Sequence, residues 1–451
     1  KYQKVKFLLI LIMENVMEKI ISLCKQRGFI NQSSEPYGGF SSSYDYGPLG
    51  VELKNNYKKL WWDEMTKNQN GIVGLDSAIL MNPRIWEASG HLSAGFADKL
   101  VECKSCHKRF KLQDLENQEN KCPECGGELM SPKNFNLMMK TFIGPVEDEA
   151  SLTYLRAETC QGIFMNFKWI ENSMRLKIPF GVCQIGKAFR NEITPSNFTY
   201  RTREFEQMEM EFFIKPEEAE KWFDYWTNER FNWYLKLGIK KENLRLTPHK
   251  ELAHYAKKGV DIEYHFPFGW NEVEGIHHRG DWDLGNHSKY SGKDLSYYNS
   301  ETGEKYVPYV IETSAGCDRG VLMLIIDSYR EIEGGRTKTT TATKEKETLL
   351  QFNYQLAPIK AAILPLVKKD EQLVQKAKEV YNLLRQYFRV WYDEIDSIGR
   401  RYRRQDEIGT PWCITIDSET LDNNTVTVRN RDTMAQERIS IQQLKTYLEE
   451  N

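Results

Sequence analysis

Apolar residues recur at helical spacing over residues 14–27 and stop at Gly28, which predicts a first helix closed by a glycine cap. Leu53, Tyr57, Leu60 and Trp61 make a second helical stripe within residues 51–65. The run IVGLDSAILMNP reads as a strand stopped at Pro83. From 132 to 214 the pattern is mainly strand, with a helical stretch around Ile163–Met174. Residues 216–258 read as mostly helical, residues 262–312 as short strands and turns, and Gly320–Ile332 as an apolar helix. Residues 333–348 hold almost no apolar side chains and read as a linker. Beyond it, strands and helices alternate over about a hundred residues, which predicts an α/β domain.

Within the strand-rich part, period-two alternation separates two faces. Gln184, Gly186, Ala188 and Arg190 share one face of the first long strand, and the two small residues leave space beside a guanidinium. On the next strand Arg203, Phe205, Gln207, Glu209 and Glu211 share a face, while Met208, Met210 and Phe212 fill the other. The apolar face is core. The charged face suits either a solvated lattice of cross-strand ion pairs or a nucleotide site, with guanidinium on phosphate and ring on base.

Composition narrows the class without deciding it. The chain has 451 residues, 40% hydrophobic and 28% charged, with a net charge of -2. This is the profile of a soluble globular protein of about three domains. No global charge excess marks a nucleic-acid partner, so such a partner must meet local basic patches. The apolar run Phe7–Met13 is too short to span a membrane. Residues 1–12 read as an upstream extension, with the natural start at Met13. Nine cysteines, an odd number, suit a reducing cytosolic compartment better than a disulfide framework.

Four cysteines are clustered. Cys103 and Cys106, then Cys122 and Cys125, form two CxxC turns that can aim four thiolates at one tetrahedral ion. A structural zinc site is expected there, because so short an insert (101–130) cannot bury a core of its own. In YVPYVIETSAGCDRG a strand is expected to end at Glu312, followed by a turn, with Arg319 opening a helix; this places a guanidinium beside a helix N-terminus, a site for a polyanion or simply a surface arginine. Arg156 and Glu158 precede a helical segment, and Glu158, Glu209 and Glu312 together suit a small cation. Arg400, Arg401, Arg403 and Arg404 surround a tyrosine in IGRRYRRQDEIG, which suits either nucleic acid or a solvated basic loop. The chain has no GxxxxGK[ST] loop and no GxGxxG opening a helix after a strand.

These segments resemble the class II aminoacyl-tRNA synthetases, in their single-chain glycine-specific branch, from about Glu18 to Leu448. GFINQSSEPYGG and YDYGPLGVELKNN are similar to the branch's N-terminal signature. The segment ending at Pro83, followed by WEASGH, resembles motif 1. FRNEI with YRTREFEQMEMEFF resembles motif 2, and ETSAGCDR resembles motif 3. The C-terminal runs around 398–417 and 425–434 are similar to an anticodon-binding domain.

The resemblance implies an α+β fold: an antiparallel-sheet catalytic domain over 13–332 carrying a zinc-ribbon-like insert, a linker over 333–351, and an α/β anticodon-binding domain over 352–451. It implies ATP-dependent activation of glycine with Mg²⁺, transfer to tRNA(Gly), a cytoplasmic homodimer and no membrane association. Arg190 and Arg319 would be the catalytic pair, on the α-phosphate and the γ-phosphate. Arg190, Asn191, Glu192, Tyr200, Arg201, Thr202, Arg203, Glu204 and Phe205 would line the ATP site, with Glu272, Val273, Gly316, Cys317, Asp318 and Arg319. Glycine would meet Glu158, Phe205, Glu206, Gln207, Met208, Glu209, Glu312, Thr313, Ser314, Ala315 and Gly316, with Lys111 nearby. Arg400, Arg401, Arg403 and Arg404 would contact tRNA. Ala157 and Thr313 stand where the branch usually has proline, and Val273 where it has leucine. Two other readings compete: a catalytically dead accessory subunit, and a ligase for another small amino acid.

Overall fold

The computed structural model describes residues 16–93, 96–115, 120–193, 195–334, 336 and 346–450. The proposed extension 1–12 lies outside them. The chain forms two compact units, one of Gln32–Ser43 with Lys58–Gly320, the other of Lys1–Asn31 with Tyr44–Tyr57 and Val321–Asn451.

The larger unit is built on a seven-stranded sheet. Its strands are β1 (Ile72–Gly74), β2 (Phe180–Phe189), β3 (Glu204–Ile214), β4 (Leu244–Pro248), β5 (Lys258–Phe266), β6 (Gly269–Gly280) and β7 (Tyr309–Gly316), in the spatial order β4-β5-β6-β7-β3-β2-β1. All neighbours are antiparallel except β1 and β2. Among its helices are α1 (Cys160–Met174), α2 (Ala219–Lys236), α3 (Trp282–Ser291) and α4 (Cys317–Ser328), the last continuing into the second unit.

The alternation along β3 decides what covers each face. Phe212 packs on Trp222 and Trp226 of α2, with ring centroids 4.8 and 5.2 Å apart. Its neighbour Phe213 points the other way and meets Phe167 of α1 at 4.6 Å. Helix α1 repeats Ile163, Phe164, Phe167 and Ile170, all buried, at the spacing that makes one apolar stripe. It covers only the Phe213 end of its face. The Gln207–Glu209 end of that face is left for the site, and the N-terminus of α1 points at it.

Several expectations are corrected. The hydrogen-bonded strand before Pro83 is only Ile72–Gly74. Residues 216–258 are helical only to Lys236 and then supply β4. Residues 262–312 hold the expected short strands at Tyr297–Tyr298 and Lys305–Tyr306, but also the end of β5, the whole of β6 and helix α3, whose buried residues are Asp283, Leu284 and His287. A helix that buries polar side chains leaves no apolar stripe to read. Strand β7 runs past Glu312 to Gly316, so Arg319 is the third residue of α4. The linker's edges are paired, Tyr329–Glu333 against Lys346–Leu350.

In the second unit, β8 (Ala361–Pro365), β9 (Val390–Tyr392), β10 (Trp412–Ile416), β11 (Thr425–Asn430) and β12 (Gln436–Ser440) form one mixed sheet, ordered β9-β8-β10-β11-β12. Helix α5 (Glu371–Leu384) buries Leu373, Ala377, Val380 and Leu384 and is capped by the Asp370 side chain, which accepts from Gln372 N and Leu373 N at 3.0 and 3.2 Å. Helix α6 (Ile398–Glu407) occupies the basic segment, for which nucleic-acid contact or a solvated loop is expected.

Candidate active site

Sheet register builds the site. Glu209 of β3 faces Gln184 of β2 on one side and Ser314 of β7 on the other, and Ser314 faces Gly275 of β6. One strand-step along, Glu211, Glu312 and His277 are likewise abreast. Residues directly opposite share a face, so the charged face of β3 continues across three further strands. A cavity of about 250 Å³ opens there, lined by Glu158, Arg190, Phe205, Glu209, Glu312 and Arg319 among others.

Glu209 is the most heavily bonded carboxyl in the cavity. Its Oε1 accepts from Ser314 Oγ at 2.6 Å and Gln207 Nε2 at 2.9 Å. Its Oε2 accepts from Thr159 N at 2.9 Å, at the start of α1, and from the Thr159 hydroxyl. Burial, with Glu312 and Glu158 close by, nevertheless pushes it up to about 7. Glu211, fully buried and with no partner for either oxygen among the described residues, is pushed well above the carboxylate range by burial and then by Glu312.

Two other acids are held ionised. Burial works to raise Glu312, but Arg279 Nη1 at 2.7 Å and His277 Nδ1 at 2.8 Å hold it low. Arg279 is itself buried and forks onto Asp283 through Nε and Nη2 at 2.7 and 2.9 Å. Glu158 is likewise buried, and His91, 3.3 Å away, with Arg279 outweighs the burial and holds it well below the usual range. The floor of the cavity is therefore acidic, with Arg279 behind it and His277 in its lining.

The arginines occupy the other part. Arg190 donates from Nε to the Ala157 carbonyl at 3.1 Å, and its guanidinium lies 5.4 Å from the centre of the Phe205 ring. Arg319 donates from Nε to the Tyr200 carbonyl at 3.2 Å, lies over the Tyr200 ring at 4.5 Å, and has Nη1 3.1 Å from Glu272 Oε1. The cleft penalises the Glu272 charge, but Arg319 and His277 hold its carboxyl low, and its side chain stays 40% exposed. Glu272 thus meets the Arg319 charge from a partly exposed position at the edge of the cavity.

Most of the sequence-derived positions line this one cavity, and some do not. Glu192, Tyr200, Arg201, Thr202, Glu206, Gln207, Ser314, Gly316 and Asp318 line it. Met208, Val273, Thr313, Ala315 and Cys317 are buried outside that lining. Asn191 donates its backbone N–H to Leu137 O at 2.8 Å, Glu204 pairs with Lys187 at 2.7 Å, and Arg203 donates to Glu192 O at 3.2 Å. Lys111 pairs with Asp98 at 2.7 Å. The space at Gly186 belongs to Arg156, not Arg190: a Cβ there would lie 2.1 Å from Arg156 Nη2. Sequence reasoning missed Thr199, His249, Tyr255, Asp261, Gly275 and His277, which line the cavity, and Arg279 behind it. The alternation Gly275, His277, Arg279 was the available signal.

Comparison with known proteins agrees with the geometry. Residues 144–329 match the tRNA synthetase class II core domain (G, H, P, S and T), and residues 360–451 the anticodon binding domain. The glycine–tRNA ligase of Treponema denticola is 54% identical over 429 residues, covering 94% of each chain. Those of Thermobifida fusca and Streptomyces coelicolor are 52% and 50% identical, covering 96% of this chain and 97% of theirs. The chain belongs to the glycine–tRNA ligase family.

Two further features of this family member lie outside the cavity. Cys103 and Cys125 have their Sγ atoms 3.6 Å apart, as do Cys106 and Cys122, and all four lie within 4.8 Å of one another. Thiolates at 2.3 Å around a tetrahedral zinc stand about 3.8 Å apart, so the set fits that ion. The two turns are built alike: Cys103 N donates to Lys108 O and Cys122 N to Gly127 O, and the fifth residue of each, His107 or Gly126, has positive φ. In α6 the four arginines separate. Arg401 is buried, donating to the carbonyls of Pro365, Asp393 and Leu366, so it is structural and not a surface contact. Arg404 pairs with Asp393 at 2.8 Å and Asp396 at 3.2 Å, and Arg400 is exposed, 3.6 Å from Asp396. Helical periodicity turns Arg401 and Gln405 inward together, which a loop reading does not anticipate.

Proposed function

We infer that the chain is a glycine–tRNA ligase that activates glycine with ATP and transfers it to tRNA(Gly). The observation that carries this reading is the shared cavity: Arg190 and Arg319 line the same space as Glu158, Glu209 and Glu312. Triphosphate and ammonium are oppositely charged, and the cavity offers cations at one part and acids at the other.

A glycine carboxylate oxygen attacks the α-phosphorus of ATP, the bond to the β-phosphate bridging oxygen breaks, and pyrophosphate leaves. Arg190 neutralises charge that builds on the α-phosphoryl oxygens, and Arg319, released from Glu272, holds the γ-phosphate. Phe205 supports adenine. Glu158, Glu209 and Glu312 receive the glycine ammonium, with Ser314 fixing Glu209. Mg²⁺ supplies further charge neutralisation on the phosphates. A tRNA 3′-terminal hydroxyl then attacks the glycyl carbonyl, the bond from that carbon to the phosphate oxygen breaks, and AMP leaves, its phosphate taking up the hydroxyl proton. Catalysis is positioning plus electrostatic stabilisation. Selection is exclusion: a pocket crowded by fixed carboxylates and their donors has no room for a side chain, and overpacking is expensive.

The four-cysteine insert holds a structural zinc in this reading. In the C-terminal unit, exposed Trp391 beside Tyr381 and Lys378 offers a stacking platform for anticodon bases. The chain works as a homodimer, as the resemblance to motif 1 around Pro83 implies, and in the cytoplasm, which its cysteine usage suits. Among the described residues no helix is long and apolar enough to cross a membrane.

Amino-acid-dependent ATP–pyrophosphate exchange, run with all twenty amino acids, tests the reading. Exchange with glycine alone is expected. No exchange would leave the accessory-subunit reading, and exchange with another amino acid a different ligase.

A further inference from the structure

On one wall of the cavity, β5 and β6 set two imidazoles and a carboxylate together. Asp261 of β5 faces Gly275 of β6, and Gly259 faces His277. His249 follows β4 and is tied to β5 by its own N–H, which donates to Gly259 O at 3.0 Å. One ligand atom from each of His249, Asp261 and His277 falls within 4.8 Å of the others.

The two glycines make that approach possible. A Cβ at Gly259 would stand 2.7 Å from His249 Nδ1. One at Gly275 would stand 2.7 Å from His277 Cε1 and 3.4 Å from Asp261 Oδ1. The backbone is thus bare where the rings and the carboxylate lie. All three side chains line the cavity and remain 12–21% exposed, so a small ion can reach them.

The outer partners fit a metal as well. His277 Nδ1 is 2.8 Å from Glu312 Oε1, leaving Nε2 for coordination. A carboxylate on the far nitrogen of a ligating imidazole fixes the ring and raises its basicity. His249 Nε2 already lies 2.8 Å from Asp261 Oδ1, a contact that protonated imidazole makes without a metal and that a bound ion would reorganise. Two imidazoles and a carboxylate prefer zinc, cobalt, nickel or iron(II) to Mg²⁺, which seeks oxygen ligands and keeps its waters.

We propose that His249, Asp261 and His277 form a second metal site, for a divalent transition metal, separate from the four-cysteine cluster. The binding does not depend on the ligase reading, so it is tested without substrate.

The metal-free full chain is given one equivalent of zinc, which the four-thiolate set takes first, and is then titrated with Co²⁺. Expected are weak visible d–d bands, saturating at one further equivalent per chain, without the intense near-ultraviolet thiolate charge transfer that a cysteine site gives. Asp261→Asn and His249→Ala should each weaken that binding at least about tenfold. An absence of such bands, or unchanged binding in both variants, overturns the proposal. Anomalous diffraction from a zinc-soaked crystal of the unaltered chain gives a reading that no folding defect disturbs. A peak bounded by the three side chains is expected, and its absence also overturns the site.

Discussion

Ser314 and Glu209 face each other across β7 and β3, and the serine hydroxyl donates to Glu209 Oε1 at 2.6 Å. The bond ties motif 3 to motif 2 at the point where an ammonium group would be received. Burial, aided by Glu312 and Glu158, places Glu209 near 7, so its ionised fraction changes steeply around neutrality. An ammonium binds the ionised form. The KM for glycine in ATP–pyrophosphate exchange should therefore rise about tenfold from about pH 8 to about pH 6. Ser314→Ala removes a donor that favours the ionised form, and its profile should move to higher pH. A glycine KM that is flat over this range would show that Glu209 is not what the ammonium meets.

Arg190 carries more than charge. Its planar guanidinium faces Phe205 at 5.4 Å while Nε holds the Ala157 carbonyl, so the fork is set before any phosphate arrives. Lysine keeps the charge and loses the plane and the fork. Arg190→Lys should lower kcat/KM for exchange by about 10²- to 10³-fold, the usual scale for losing one preorganised donor to a developing charge. Circular dichroism should be unchanged. Wild-type exchange in this variant would remove Arg190 from the α-phosphate.

The sequence disclosed charged groups where strand alternation makes them conspicuous. Arg190, Phe205 and Glu209 stand against a period-two background, and the cysteine spacing needs no fold to be read. It disclosed least where burial is polar. Helix α3 buries Asp283 and His287 with one leucine, so no hydrophobic stripe announces it. Arg279 and His277 were hidden with it, since the segment that holds β6 reads as short strands and turns. Arg401 looked like a surface cation because three carbonyls that swallow its charge come from residues about 8 to 36 positions away. Long-range satisfaction of a buried charge leaves no local trace.

The four-cysteine insert has little apolar burial to hold it: among the described residues, Val101, Leu115 and the cysteines Cys103 and Cys122 are the buried members. Its stability should come from metal. A strong chelator, or Cys122→Ser, should open residues 103–130 to limited proteolysis while the sheet-borne unit keeps its protection, because ligand binding is the folding energy of such a segment. Retention of the protease-resistant insert after verified metal loss would show that hydrogen bonding in the two turns suffices.

Glu211 offers a test of electrostatics apart from catalysis. It is fully buried beside Glu209 and Glu312, neither oxygen has a partner among the described residues, and burial pushes its carboxyl well above the ordinary 4.5. The folded chain therefore holds this proton at pH values where the unfolded chain has released it. The sign follows: the folded state binds more protons above about pH 4.5, so wild-type stability falls with rising pH by about 1.4 kcal/mol per unit from this group, until the folded carboxyl itself ionises. Glutamine has the same shape and no proton to lose. Glu211→Gln carries a constant cost for its buried amide, but its Tm relative to wild type should climb as pH rises above about 4.5, until the folded carboxyl ionises. Thermal denaturation of both chains across that range decides it. A Tm difference that stays constant, or shrinks, would mean that Glu211 is ionised in the folded protein and has found a cation.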